Sequence, residues 1–182
     1  MKRKLLVFII TFLVGKSILS QVTHSITIGP DLGLGANFGK SSKGSIGGSL
    51  EYVAQLSEKI GIRLSGGYNK FNGRYYDDYV SFLPIRIGVQ AFVFEELIFA
   101  FTEAGIAKYK ASSGTEKTGP SLSFGAGYRQ PLSGRQFIQT SVYFNYYKYK
   151  GDPPGGDLNY TWFNFRIAYG FSFGNTRKSK EE

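Results

Sequence analysis

The sequence predicts an all-β protein: an eight-stranded antiparallel transmembrane β-barrel of the outer-membrane type, running as an up-and-down meander. Three observations predict it. Alternation of apolar and polar residues with period two, the strand signature, recurs eight times, and no helical period stands out. Within those segments one face is apolar, while the other gathers Gly, Ser, Asn and the charges that lie away from segment ends. A soluble barrel shows the reverse, so the apolar face must meet lipid. The connections alternate between short and long, as in barrels with tight turns on one side of a membrane and longer loops on the other.

The chain has 182 residues and opens with Met1, Lys2, Arg3 and Lys4. An apolar run from Leu5 to Val14 follows, then Gly15-Lys16-Ser17-Ile18-Leu19-Ser20. A basic start, a short apolar core and a small residue near the cut make a secretory signal, and the run is too short to span as a helix. Residues 1–20 are therefore read as a signal peptide, 21–173 as the barrel domain and 174–182 as a polar C-terminal tail. Removing Lys2, Arg3, Lys4 and Lys16 takes the basic residues from 22 to 18 against 13 acids, so the net charge falls from +9 to +5.

The strands follow in order. The first, about 24–38, shows Ile26, Ile28, Leu32, Leu34, Ala36 and Phe38 on its apolar face. The second, about 45–56, shows Ile46, Leu50, Tyr52, Ala54 and Leu56; the third, 60–71, Ile60, Ile62, Leu64 and Tyr68. The fourth, 79–94, carries Leu83, Ile85, Ile87, Val89, Ala91 and Val93; the fifth, 97–109, Ile98, Ala100, Thr102, Ala104 and Ile106. The sixth, 119–130, has Leu122, Phe124, Ala126 and Tyr128; the seventh, 136–149, Ile138, Val142, Phe144 and Tyr146. The eighth, 159–173, has Phe163, Phe165, Ile167, Tyr169, Phe171 and Phe173. Short turns lie at 57–59, 95–96 and 131–135, longer loops at 39–44, 70–78, 110–118 and 150–158. That alternation puts both termini on the short-turn side, the periplasmic side of an outer membrane.

Turn length fixes two registers. A two-residue turn at Glu95-Glu96 sets Arg86 opposite Gly105, and a three-residue turn at 57–59 sets Val53 opposite Arg63, with all four facing inward. A slip of one residue would reverse a strand's faces. Pro30 and Pro84 lie within strands and Pro120 at a strand start. Proline removes a ladder donor, so bulges or loose pairing are expected at Pro30 and Pro84. Aromatics gather at two heights, as interfacial girdles do. Tyr75, Tyr76, Tyr79, Tyr109, Tyr146, Tyr147, Tyr149, Tyr160 and Trp162 lie on the long-loop side, and Phe94, Phe99, Phe137, Phe171 and Phe173 near the short turns.

The inward charges are Asp31, Glu51, Arg63, Arg86, Glu103, Arg129 and Arg166. Buried charges must pair. Glu51 lies diagonal to the position facing Arg63, and Glu103 diagonal to the position facing Arg86. Closing strand eight on strand one brings Arg166 towards Asp31. An eight-stranded barrel is narrow enough for side chains to fill, so these residues read as a structural salt-bridge plug. A gated small-solute channel is the alternative reading of the same residues.

Other chemistry is poorly supplied. There is no Cys and a single His, His24. That removes disulfides and thiolate sites, and makes His-based metal sites and triads hard to build. Some barrels of this size modify lipid A with a His-containing group, but Ser25 beside His24 faces the other way on a strand. Asp77-Asp78 and Asp152 with Asp157 lack the spacing of a calcium site. The paired glycines at Gly33, Gly35 and Gly125, Gly127 precede no helix that would cradle phosphate. No catalytic residue, metal, cofactor or nucleic-acid partner is expected.

The stretch Phe82-Leu83-Pro84-Ile85-Arg86-Ile87-Gly88, followed by Phe101-Thr102-Glu103-Ala104-Gly105-Ile106, resembles strands of the small outer-membrane barrels common in Bacteroidetes, the group that includes the PorT-like barrels. The Ser20-Gln21 junction resembles that family's frequent Gln start. Arg166-Ile167-Ala168-Tyr169-Gly170-Phe171-Ser172-Phe173 is similar to a barrel-assembly signal, although residues 174–182 follow it. The resemblance implies a cell outer-membrane location and a non-enzymatic role in the envelope: membrane integrity, surface interaction or support of a secretion machine. The implied partners are outer-membrane lipids, the barrel-assembly machinery, and envelope or secretion proteins.

Overall fold

The computed structural model describes residues 22–35, 42–73, 79–94, 97–149 and 158–174. Residues 1–21, Tyr75, Tyr76, Glu95, Glu96, the four loop aspartates, Ala36, Phe38 and residues 175–182 lie outside them. Eight strands are present: β1 (Thr23–Gly35), β2 (Ser42–Gln55), β3 (Ile60–Gly73), β4 (Tyr79–Val93), β5 (Ile98–Ala111), β6 (Glu116–Pro131), β7 (Gln136–Tyr149) and β8 (Leu158–Gly174). Each pairs antiparallel with its neighbours in sequence, and β8 pairs with β1, closing the barrel.

Alternation decides which face each residue takes. The exposed outer wall includes Ile28, Leu34, Ile46, Ile85, Ile87, Ile106, Val142, Phe163 and Ile167. The buried inner face includes Thr27, Asp31, Glu51, Arg63, Gln90, Ser123, Gln139, Asn145, Asn164 and Arg166. Apolar outside and polar inside is the arrangement that lipid requires.

The hairpins have the expected registers, with Val53 opposite Arg63 and Arg86 opposite Gly105. The Ser57 hydroxyl closes the first turn by accepting the Ile60 and Lys59 amides at 3.1 and 3.3 Å. In the next turn the Leu97 amide donates to the Phe94 carbonyl at 3.0 Å, with Phe94 at φ 50°. In the third, Gly134 takes φ 65°, a conformation that glycine adopts at little cost.

Three expectations are narrowed or changed. Of the bulges or loose pairing expected at Pro30 and Pro84, the structure shows loose pairing and no register shift. The β1–β8 ladder skips Gly29 and Pro30, and the β3–β4 ladder skips Leu83 and Pro84, each resuming in the same register. The missing N–H thus costs local pairing and no inserted residue, while a register shift occurs between Ser42 and Ser45. The third long-side loop is short: β5 and β6 continue until Lys110 faces Glu116 and the Ala111 amide donates to the Thr115 carbonyl.

The third change concerns the aromatics. Tyr109, Tyr147, Tyr149 and Trp162 are buried inside the barrel with Phe71 and Phe82, and Tyr160 packs against them. Phe99 and Phe137 are also buried inside. They share strand parity with inward polar residues, so height near an interface did not make them lipid-facing. The outer aromatics at the short-turn end include Phe94, Tyr128, Phe171 and Phe173.

Candidate functional site

The lumen is the site, and Glu51 is its centre. Glu51 Oε1 pairs with Arg63 Nη2. Its Oε2 pairs with Arg166 Nη1 at 2.6 Å and accepts from Thr27 Oγ1 at 3.0 Å and Gln139 Nε2 at 2.9 Å. Donors from β1, β3, β7 and β8 therefore converge on one β2 carboxylate. Gln139 in turn accepts from Arg129 Nη2 at 3.3 Å. The Arg129 guanidinium also lies over the Phe137 and Phe92 rings, 4.2 and 5.3 Å from their centroids.

Arg63 shows how the cross-strand rows build this network. Arg63 opposes Gly88 on β4, and Gly88 opposes Glu103 on β5. With no side chain at Gly88, Arg63 Nε reaches across to Glu103 Oε1 at 2.7 Å. Gln90 Oε1 takes Arg63 Nη1 at 2.9 Å, and the Phe101 ring lies 3.9 Å beneath the guanidinium. Arg86 repeats the pattern: it opposes Gly105, which opposes Ser121, and Arg86 Nε donates to Ser121 Oγ at 2.7 Å. Glu103 thus pairs with Arg63, not with Arg86 as the diagonal suggested, because the glycine gap lies in Arg63's row. Arg86 Nη2 has no hydrogen-bond partner among the described residues.

At the barrel seam Asp31 opposes Arg166, with Arg166 Nε 3.7 Å from Asp31 Oδ1. Arg166 Nη2 also donates to the Ser49 carbonyl at 3.1 Å. The Tyr143 hydroxyl donates to Asp31 at 2.8 Å and accepts from Asn164 at 3.1 Å. All seven sequence-predicted charges are buried inside. Sequence reasoning missed Tyr143, Gln139 and Thr27 as members. Their inward parity was the available signal, masked in Tyr143 by the aromatic run around it.

Above this layer, at the long-loop end, rings fill the bore. Phe82 packs against Trp162, Tyr147 and Tyr160 at centroid distances of 4.8, 5.2 and 5.4 Å. Tyr109, Tyr149 and Tyr160 stack on one another, with Tyr149 and Tyr160 at 9°. Among the residues of the charge layer lies a cavity of about 20 Å³, bordered by Arg63, Ser65, Asn69, Arg86, Glu103 and Tyr143. That is room for water on the scale of one or two molecules.

His24 lies on the outside at the short-turn end. Its Nδ1 is 2.6 Å from the Tyr52 hydroxyl, and its ring stacks between Tyr52 and Phe173. Ser25 is buried on the opposite face. Among the described residues no group of three or more His, Cys, Asp or Glu side chains could hold a metal ion.

No family model matches the chain, and no curated protein does. Solved structures do. Ail, the attachment invasion locus protein of Yersinia pestis, matches with a TM-score of 0.53 at 17% identity over 84% of this chain and 99% of its own. Neisserial surface protein A matches with a TM-score of 0.52 at 11% identity, over 84% and 97%. OprG of Pseudomonas aeruginosa matches with a TM-score of 0.50 at 10% identity, over 85% and 97%. At such identities the likeness is one of fold: this chain is a closed eight-stranded antiparallel barrel of the kind found in small outer-membrane proteins.

Proposed function

We propose that this chain is a non-conducting, non-enzymatic barrel of the cell outer membrane, exported by its signal peptide and oriented with both termini in the periplasm. It serves the envelope through its lipid-facing wall and its long-loop end, in membrane integrity, surface interaction or support of a secretion machine. The filled lumen supports this reading: among the described residues a cross-linked charge layer and an aromatic plug occupy the bore, and the cavity among the charges measures about 20 Å³. The separation of His24 from Ser25 supports the non-enzymatic part. The resemblance to PorT-like barrels supports secretion as one form of the role, and pulldown of envelope complexes tests that form.

Two measurements test the core of the proposal. Outer-membrane fractionation with heat-modifiable gel mobility should place the chain in the outer membrane as a folded barrel. A soluble protein of unshifted mobility would defeat it. In planar bilayers the purified barrel should leave conductance at the lipid baseline, and discrete channel events would restore the gated-channel reading.

A further inference from the structure

The outer wall carries a repeated spacing. β3, β5 and β7 all run from the short-turn end to the long-loop end. In each, an outward isoleucine near the strand start is followed ten positions later by an outward lysine: Ile60 and Lys70, Ile98 and Lys108, Ile138 and Lys148. Ten residues at about 3.3 Å each, on strands tilted about 40°, climb about 25 Å, the height of the apolar band of such barrels. The three lysines therefore stand at one level, where hydrocarbon gives way to headgroups. Lys110 stands one turn of the pleat higher on β5.

These lysines form a group around the wall. Lys70 pairs with Ser81, and Ser81 with Lys110, so the two lysines flank one residue, about 10 Å apart. The Lys70 ammonium lies 4.4 Å over the Tyr79 ring. Glu116 is the acid among them, 2.6 Å from Lys108 and 3.3 Å from Lys110. Among the described residues Glu116 thus pairs with two of the four lysines. At the opposite rim, the outward strand positions hold His24, Tyr52, Ile60, Val93, Ile98, Ile138 and Phe173, with no lysine or arginine among the described strand residues. Among the described strand residues the outward lysines stand at the long-loop end, while Lys59 and Arg135 at the other end lie in the turns.

We propose that Lys70, Lys108, Lys110 and Lys148 form a docking rim for the phosphate groups of an anionic glycolipid in the outer leaflet. A lysine stem can lie along the apolar wall while its head reaches up to the headgroups. Its ammonium, a compact charge with three donors, binds phosphate without demanding one geometry. Charge complementarity at a single depth is what selects a lipid over a soluble polyanion. This inference rests on the outer-membrane reading.

The test folds the full chain into phosphatidylcholine vesicles holding a trace of fluorescent bis-phosphorylated lipid A. Energy transfer from Trp162, the sole tryptophan, reports enrichment around the barrel. Wild type should enrich the phosphorylated lipid over its dephosphorylated form, and less so at high salt. Lys70→Gln/Lys110→Gln and Lys108→Gln/Lys148→Gln should each weaken enrichment, by about fivefold per lysine removed. Glu116→Gln should strengthen it, and Lys59→Gln/Arg135→Gln, at the other end, should leave it unchanged. Heat-modifiable mobility is read on every sample. A folded, inserted wild type with no preference for the phosphorylated lipid overturns the rim alone. So do double variants that fold and keep full enrichment, or displacement of the lipid by a soluble sulfated oligosaccharide. Failure of the wild type to insert overturns the membrane reading and the rim with it.

Discussion

Replacing Glu51 with alanine tests the lumen network where it is most connected. The carboxylate holds two arginines, Arg63 and Arg166, and accepts from Thr27 and Gln139. Breaking a buried ion pair by removing one partner costs about 3–5 kcal/mol, since the other charge stays behind without water. Two guanidiniums lose an acceptor at once here, Arg63 keeping Glu103 and Gln90 and Arg166 keeping, of carboxylates, only the longer contact to Asp31, so Glu51→Ala should lie near the top of that range, at about 5 kcal/mol. Glu103→Ala removes a pair with Arg63 and a bond from Ser65, but Arg63 keeps Glu51 and Gln90. It should cost about 3 kcal/mol and lower the melting point. Glu51→Gln keeps the shape and one acceptor oxygen and should fall between them. The assay is reversible urea unfolding in lipid vesicles, followed by Trp162, which is wholly buried. Costs below about 1 kcal/mol, or a Glu103→Ala cost equal to that of Glu51→Ala, would refute a network centred on Glu51.

The remaining predictions separate geometry from charge. Arg86→Met should leave stability unchanged or raised in the same assay, because among the described residues Arg86 donates to Ser121 and leaves Nη2 without a hydrogen-bond partner; a loss above about 2 kcal/mol would contradict this. Gly88→Ala should lose about 3 kcal/mol or fail to give the heat-modifiable species, since its Cβ would lie 1.9 Å from the Thr102 carbonyl oxygen. Gly66→Ala, where the nearest atom is 3.8 Å away, should fold normally. Phe82→Ala removes the centre of the plug, so it should cost about 3–5 kcal/mol and red-shift Trp162 emission as water enters; an unshifted spectrum would mean the rings close over the gap.

How much of this was legible in the sequence follows from what fixes a strand's register. Period-two alternation sets the face of each residue, so Asp31, Glu51, Arg63, Arg86, Glu103, Arg129 and Arg166 could be placed inside. Tight turns set the β2–β3 and β4–β5 registers, so the residues opposite Arg63 and Arg86 across those hairpins could be named. The β3–β4 pairing crosses a longer loop, and a loop of that length fixes no register. Arg63 opposite Gly88 was therefore hidden, and with it the route from Arg63 to Glu103. The aromatic plug was hidden for another reason. Tyr109 shares parity with Glu103, and Trp162 with Arg166, so alternation placed both inside; a height rule borrowed from interfacial girdles overrode it. The extension of β5 and β6 was obscured because Lys110 and Glu116 look like loop charges until they are set opposite one another.

The network also bears on why the sheet closes. An open eight-stranded sheet could keep seven of its eight ladders and lose the β1–β8 seam. It would lose two of the bonds that converge on Glu51. Arg166 comes from β8 and Gln139 from β7, and both reach β2 across the seam. Tyr143 on β7 reaches Asp31 on β1 the same way. In an open sheet these groups would be stranded at opposite edges, each an unpaired polar atom or charge in a lipid environment. Hydrophobic wall residues cannot supply that preference, because lipid covers the outer face whether the seam is made or not. The wall drives insertion, and the polar interior selects the closed form. It follows that interior substitutions should change the yield of closed, heat-modifiable barrel, whereas apolar exchanges on the wall should change how readily the chain enters the membrane.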